Sequence, residues 1–203
     1  MIEMTTIEAV RPEGGDTKTA YHFYTDALEL GEHVHPAAAE TPTSGFRGFT
    51  LSLVVPQPAT VDAFIEAAMD AGGKLIAPAS KSLWGYGGAV EAPDGTIVTV
   101  AASKKKNSGP ATKQIDTVVL QLGVDDVAAS KKFYMDRGLE VGKSYGSKYV
   151  EFVTGGVTLA LLKRKLLAKN AHVSPDGSGS HRVTIASSAG PFTDPDGFVW
   201  EAA

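Results

Sequence analysis

The sequence predicts an α+β fold built from βαβββ modules, in an internally duplicated chain whose last module is truncated. Two observations predict it: short signatures occur twice, and the apolar pattern changes from alternating to helical and back within each repeat. The first signature, Phe-Tyr followed by Leu-Glu-(Leu/Val)-Gly, lies at residues 23–31 and 133–142. The second, Pro-Asp-Gly, lies at residues 93–95 and 195–197. The chain therefore contains two related halves.

The first half begins with a predicted strand at residues 2–10 and a helix at residues 17–28, followed by a Pro- and Ala-rich stretch without clear periodicity. The pattern then restarts as a complete βαβββ module. Its predicted elements are a strand at 49–55, a helix at 61–71 closed by Gly72-Gly73, and strands at 74–77, 89–92 and 96–101.

A linker joins the halves at residues 104–112, where three consecutive lysines precede Asn-Ser-Gly-Pro without apolar periodicity. We assign residues 1–103 to the first half and residues 113–203 to the second. The lysine run is interpreted as a solvated surface, because the chain as a whole is acidic.

The second half repeats the module. A strand at residues 115–124 precedes an N-capping aspartate, Asp125 or Asp126, and a helix at 127–137 that Gly138 ends. Strands follow at 140–143, 148–153 and 157–162, with Gly155-Gly156 as a turn. A further strand at 181–187 runs almost directly into the Pro-Asp-Gly turn, which leaves no room for a helix. The last module is therefore short, and periodicity does not decide which module it pairs with.

Composition excludes several classes of function. The 203 residues include 43% hydrophobic residues, 19 basic and 23 acidic residues, and no cysteine. The net charge of −4 does not favour nucleic acid as a partner, and the absence of cysteine excludes disulfides and thiolate chemistry. With no basic and apolar leader and no long apolar run, we expect a cytoplasmic protein that does not bind membranes.

The order of these signatures resembles the vicinal-oxygen-chelate superfamily of glyoxalases, bleomycin-resistance proteins and extradiol dioxygenases. The resemblance covers nearly the whole chain and includes the closing Asp-Pro-Asp-Gly-x-x-Trp-Glu at residues 194–201. It implies paired modules whose sheets curl into a cup, with a ligand or a divalent metal on the concave side.

The same resemblance allows the metal-ligand positions to be checked in this sequence. In the second half they correspond to Thr117, Ala160, His181 and Glu201. In the first half they correspond to Thr5 or Thr6, the region 46–49, and Thr99. Only His181 and Glu201 carry typical ligands, and two side chains hold a cation weakly. We therefore expect no cofactor, with a weakly held divalent metal as the alternative.

Aromatic residues beside glycines predict a pocket for a small molecule, because glycine lets the backbone approach while rings offer flat surfaces. Two such segments, residues 45–49 and 83–88, occur in the first half. An aromatic core with glycine-rich turns explains the same pattern equally well. The predicted ligand-binding residues are Phe46, Arg47, Phe49, Trp84, Tyr86 and Tyr149.

The preferred functional hypothesis is a metal-independent protein that binds a small apolar or aromatic molecule, as a monomer or homodimer. One alternative is a glyoxalase-type lyase or isomerase with Glu201 as general base and His181 as electrophile or weak metal ligand. Another is a non-catalytic dimerisation module, which predicts a closed interior.

Overall fold

Four modules of unequal size carry the fold in this computed structural model, which describes residues 3–178 and 182–203. The first consists of β1 (Thr6–Gly14), α1 (Thr17–His22) with its π-helical continuation (Phe23–Ala27), β2 (Ala37–Ala38) and β3 (Ser44–Gly45). The second consists of β4 (Phe49–Val54), α2 (Pro58–Asp70), β5 (Lys74–Ser82), β6 (Gly85–Glu91) and β7 (Ile97–Ala102).

The second half begins with its longer module. Its first module consists of β8 (Thr117–Val124), α3 (Val127–Met135), β9 (Glu140–Tyr145), β10 (Tyr149–Val153), β11 (Gly155–Gly156) and β12 (Thr158–Lys163). Helix α4 (Arg164–Asn170) and β13 (Gly177–Ser178) come next, followed by β14 (Val183–Ser187), β15 (Phe192–Thr193) and β16 (Val199–Ala202). The predicted α+β class and the order of the main elements are confirmed.

The larger sheet joins the second and third modules across the linker. Its eight strands run in the order β5-β6-β7-β4-β8-β12-β10-β9. At its centre β4 and β8 are antiparallel, with Thr50 opposite Gln121 and Ser52 opposite Val119. The large sheet therefore contains strands from both of the halves that the sequence predicts.

The smaller sheet shows which module the truncated last module pairs with, a question that periodicity leaves open. The truncated last module packs against the first module, since β14 is antiparallel to β1 with Arg11 opposite Thr184. The strand order is β11-β1-β14-β16-β15, and β2 also pairs with β1. Gly155-Gly156, predicted as a turn, forms the short strand β11 parallel to β1.

Alternation along the large sheet separates an apolar face from a polar one. Leu51, Leu53 and Leu120 point to the helix side and belong to one core cluster with Phe64 of α2 and Tyr134 of α3. The intervening side chains therefore belong to the opposite, concave face. In the range 3–178 and 182–203 no helix is long and apolar enough to cross a membrane.

The tyrosine of each Phe-Tyr signature belongs to a buried hydrogen-bond network, with a carboxylate from a different position of the repeat in each half. The Tyr24 hydroxyl donates to the two carboxylate oxygens of Asp94 at 3.0 and 2.9 Å. In the second half the Tyr134 hydroxyl donates to Asp194 Oδ2 at 2.6 Å and accepts from Trp200 Nε1 at 3.2 Å. Buried polar groups need such partners, so both signatures serve the fold.

Candidate functional site

The concave face of the large sheet carries a row of uncharged polar side chains on its central strands. Thr50 and Ser52 of β4 alternate with buried leucines, and in the adjoining strands Thr99 pairs with Ser52 and Gln121 with Thr50. The Thr50 hydroxyl donates to Gln121 Oε1 at 3.0 Å. Since Gln121 uses its oxygen here, its amide N–H groups stay available to a ligand.

Helix α4 fills one half of the cup. Leu167, only 1% exposed, packs in a separate apolar cluster whose other buried members are Phe46, Ile97, Leu162, Ala168 and Ala171. Arg164 holds the helix in place: Nη2 donates to Phe46 O at 2.7 Å and Nε to Pro175 O at 3.0 Å. Its guanidinium also lies 5.1 Å from the centre of the Phe46 ring.

The other half of the cup is open and forms a cavity of about 600 Å³. Most of its polar lining is uncharged and comes from Thr50, Ser52, Ser80, Ser82, Thr99 and Gln121. Trp84, at the β5–β6 hairpin, and the glycines of β6 line one side. The end of α4 contributes Lys169, Asn170 and His172 to the lining. This volume lies within the range of ordinary small-molecule sites.

The donor set of the cup does not fit a divalent cation. Thr117 offers a hydroxyl, Ala160 no donor at all, and Thr99 a hydroxyl where the resemblance implies a carboxylate. Among the residues that the structure describes, no group of three or more His, Cys, Asp or Glu side chains is placed to hold a metal. Mn²⁺, Fe²⁺, Ni²⁺ and Zn²⁺ are held in proteins by imidazole and carboxylate donors, and among the described residues that line the cavity His172 is the single imidazole and no carboxylate accompanies it.

Glu201 lies on β16 of the smaller sheet and is not among the residues that line the cavity. Its Oε2 accepts from Arg11 Nη1 at 2.5 Å, and its side chain is 49% exposed. The burial that would adapt this carboxylate to proton abstraction is missing. His181, its expected partner, lies outside the described residues.

Two of the predicted ligand-binding residues line the cavity. Trp84 is 85% exposed. Tyr86 is also among the cavity-lining residues, but its ring packs against the core cluster on the helix side of the sheet, and its hydroxyl donates to Asp62 Oδ1 of α2 at 2.7 Å. That hydrogen bond raises the pKa of Tyr86, because the phenol donates only while protonated.

The structure places three other predicted residues in supporting positions rather than in the cavity. Phe46 is buried beneath α4, and Phe49 points into the main core because it lies one position from the concave face. Arg47 is buried, and its guanidinium donates to Glu13 O at 2.7 Å and Thr96 Oγ1 at 2.8 Å. Burial lowers the pKa of Arg47, and the nearby Asp94 carboxylate opposes that shift.

Tyr149 occupies the half of the cup that α4 covers. Its half-buried ring packs against the cluster beneath α4, and its hydroxyl donates to Glu151 Oε2 at 2.6 Å. Burial raises the pKa of Tyr149, and the hydrogen bond to Glu151 adds to the effect. Tyr149 is not among the cavity-lining residues.

Sequence reasoning named Thr99, as a position where the resemblance implies a metal ligand, but missed the rest of the polar lining of the cup and the whole of α4. The alternation of Thr50 and Ser52 with leucines was a usable signal, as was Gln121 within an apolar strand. Lys169, Asn170 and His172 offered none, because their place in the cup depends on how α4 packs.

Comparison with solved structures identifies the fold. Glyoxalase I from Zea mays is similar with a TM-score of 0.64 and 15% identity, covering 97% of this chain and 91% of that one. A proposed dioxygenase from Bacillus subtilis is similar with a TM-score of 0.55 and 12% identity, covering 92% and 71%. No family model matches the sequence, and no curated protein sequence matches it significantly. The chain therefore has the fold of the glyoxalases and related dioxygenases, as its repeated motifs predict.

Proposed function

We propose that this protein binds a small organic molecule in the open half of the cup without a metal of its own. The single observation that carries the proposal is the cavity of about 600 Å³ lined by Trp84 and by uncharged hydrogen-bonding side chains. Such a lining suits a flat apolar or aromatic body that carries a few polar groups.

Trp84 supports the aromatic part of this proposal. An indole ring that is 85% exposed beside a cavity leaves much apolar surface in water, and a flat ligand would cover it. Gly85 and Gly87 line the same side, and neither has a side chain that separates the backbone from a bound ring.

The row of uncharged polar side chains on the concave face supports the second part of the proposal, that the ligand carries a few polar groups. Within residues 3–178 and 182–203, the hydroxyls of Ser52 and Thr99 and the amide nitrogen of Gln121 make no side-chain hydrogen bond to protein. These groups lie on a concave surface where a ligand can use them in place of water. Polar groups that a ligand leaves unpaired cost affinity, so they select for matching groups.

Catalysis of the glyoxalase or dioxygenase type is not part of the proposal. Glu201 and Arg11 are paired with each other on the smaller sheet, and no carboxylate base is among the described residues that line the cup. The fold neighbours are named as enzymes, but their similarity extends to the fold alone.

The protein contains two tryptophans, which makes the test direct. Trp200 is 1% exposed, so a change in tryptophan emission on ligand addition reports mainly on Trp84. We would treat the protein with EDTA and titrate it with a panel of bicyclic aromatic compounds, including naphthalene-2-carboxamide and naphthalene-2-carboxylate. Calorimetry would run in parallel to give stoichiometry.

Saturable binding of one molecule per chain is expected, with affinity falling about tenfold in Trp84→Ala because one aromatic contact is lost. Leu83→Ala is the matched control, since Leu83 is equally exposed at the same hairpin but does not line the cavity. Absence of saturable binding across the panel, or equal losses in the two variants, would overturn the proposal.

A further inference from the structure

We infer that the ligand of the cup is an organic anion, an aromatic carboxylate, whose charged group is held at the end of α4 by Lys169 and His172. This inference rests on the proposed function and adds the charge of the ligand to it. It starts from the cavity lining, where the ionisable nitrogen bases are Lys169 and His172 and no Asp or Glu contributes among the described residues. The chain as a whole has 23 acidic residues and a net charge of −4. The sign of charge at the cavity is thus opposite to that of the protein.

Among the described residues, neither base has a partner outside the cavity. The ion pairs between described side chains involve other residues, and Lys113, Lys132 and Lys143 each have an acidic partner that Lys169 lacks. The imidazole of His172 likewise makes no hydrogen bond to the rest of the described chain. Both exposed side chains are therefore free to meet a ligand that enters the cavity.

The backbone at His172 points to the same conclusion. With φ of 59°, His172 has the left-handed conformation of a residue that ends a helix, a position usually taken by glycine. The N–H of Val173 bonds to Ala168 O at 3.0 Å and the N–H of His172 to Lys169 O at 3.1 Å, as in a Schellman ending. A histidine is unfavourable there for folding alone, whereas its imidazole lines the cavity.

The direction of α4 does not oppose an anion at this point. A helix C-terminus carries partial negative charge on its unpaired carbonyls. Here the carbonyls of Leu167, Ala168 and Lys169 already accept backbone N–H groups. The full positive charge of Lys169 is larger than the partial negative charge that is left at the C-terminus of this seven-residue helix.

The two ends of the site therefore fit a ligand that has an aromatic ring at one end and a negative charge at the other. Trp84 offers a surface for a ring, Lys169 offers a positive charge for a carboxylate, and His172 offers a ring nitrogen that can donate a hydrogen bond to it. Gln121 and Thr99 remain for hydroxyl or carbonyl groups on the ring.

The test compares naphthalene-2-carboxylate with naphthalene-2-carboxamide, which share a ring system and differ in charge. By calorimetry, the carboxylate is expected to bind wild-type protein at least tenfold more tightly, and this ratio should fall towards one in Lys169→Met combined with His172→Gln. The affinity for the carboxamide should fall by much less than the affinity for the carboxylate. Lys165→Met is the matched control, because Lys165 is an exposed lysine of the same helix that does not line the cavity.

A carboxamide that binds as tightly as the carboxylate would overturn the anion inference and leave the proposed function standing, as would an unchanged ratio in the double variant. If neither compound nor any other member of the panel binds, both proposals fail. His172→Gly separates ligand binding from folding. It should raise the melting temperature by about 2–6 °C, because glycine tolerates positive φ, while weakening carboxylate binding. A rise in melting temperature with unchanged carboxylate affinity would contradict the role of the imidazole.

Discussion

Replacing Tyr134 with phenylalanine isolates one hydroxyl of the buried network behind the second repeat. In wild-type protein this hydroxyl donates to Asp194 Oδ2 at 2.6 Å and accepts from Trp200 Nε1 at 3.2 Å. Burial raises the pKa of Asp194, and the hydrogen bond from Tyr134 opposes that shift. The Phe ring keeps the aromatic contacts, so the change removes the hydrogen bonds and little else.

The loss should be large for a single oxygen atom. A buried hydrogen bond to a charged group contributes about 1.5–3 kcal/mol, and the unpaired indole N–H adds about 1 kcal/mol. Tyr134→Phe should therefore lower the free energy of unfolding by about 2.5–4 kcal/mol, measured by urea denaturation. Tyr21→Phe is the matched control, because Tyr21 is 53% exposed and should change stability by less than about 0.5 kcal/mol. A Tyr134→Phe value as small as that of the control would refute the role given to this network.

Two further predictions concern pH and the cup. Burial raises the pKa of Tyr24 and of Tyr134 well above 10, with Asp94 and Asp194 adding to the shifts, so both phenols ionise more easily in the unfolded chain. The stability they contribute is complete below about pH 10 and is lost above it, at up to about 1.4 kcal/mol per pH unit for each tyrosine. Denaturation curves between pH 9 and 11 should show this slope, and Tyr134→Phe should reduce it; an unchanged slope would count against the assignment. Leu167→Ala should lower the free energy of unfolding by about 2–5 kcal/mol and weaken carboxylate binding, because α4 loses its buried apolar contact. Full stability in that variant would mean that α4 is not held in the cup as described.

The fold could be predicted because the repeated signatures are structural. Phe-Tyr occurs at a helix end in both halves because the tyrosine hydroxyl needs a buried carboxylate. Asp94 of the first Pro-Asp-Gly supplies it for Tyr24, and Asp194, just before the second Pro-Asp-Gly, supplies it for Tyr134. Such requirements fix residue type and order along the chain, and both are visible in a sequence. The pairing of the last module with the first is a contact between the two ends of the chain, which no local pattern encodes.

The site was harder to predict because successive side chains of a strand point to opposite faces of the sheet. Phe49 lies one position before Thr50, yet Phe49 belongs to the core and Thr50 to the cavity. Arg47 could be a ligand contact or a buried structural cation, and only the contacts to Glu13 and Thr96 decide in favour of the second.

Helix α4 was missed for a different reason. At seven residues it is too short for a clear helical period, and it has no side-chain cap. Leu167 and its neighbours acquire their role only where Phe46 and Leu162 meet them across the cup. The residues proposed to bind the carboxylate follow from that packing and could not have been chosen from sequence.

A crystal structure of the complex with naphthalene-2-carboxylate tests the central claim most directly. The account predicts the ring beside Trp84 and the carboxylate within hydrogen-bond distance of Lys169 or His172, with α4 unmoved. A ligand bound instead beside Glu201 on the smaller sheet, or one that displaces α4 to reach Tyr149, would contradict it.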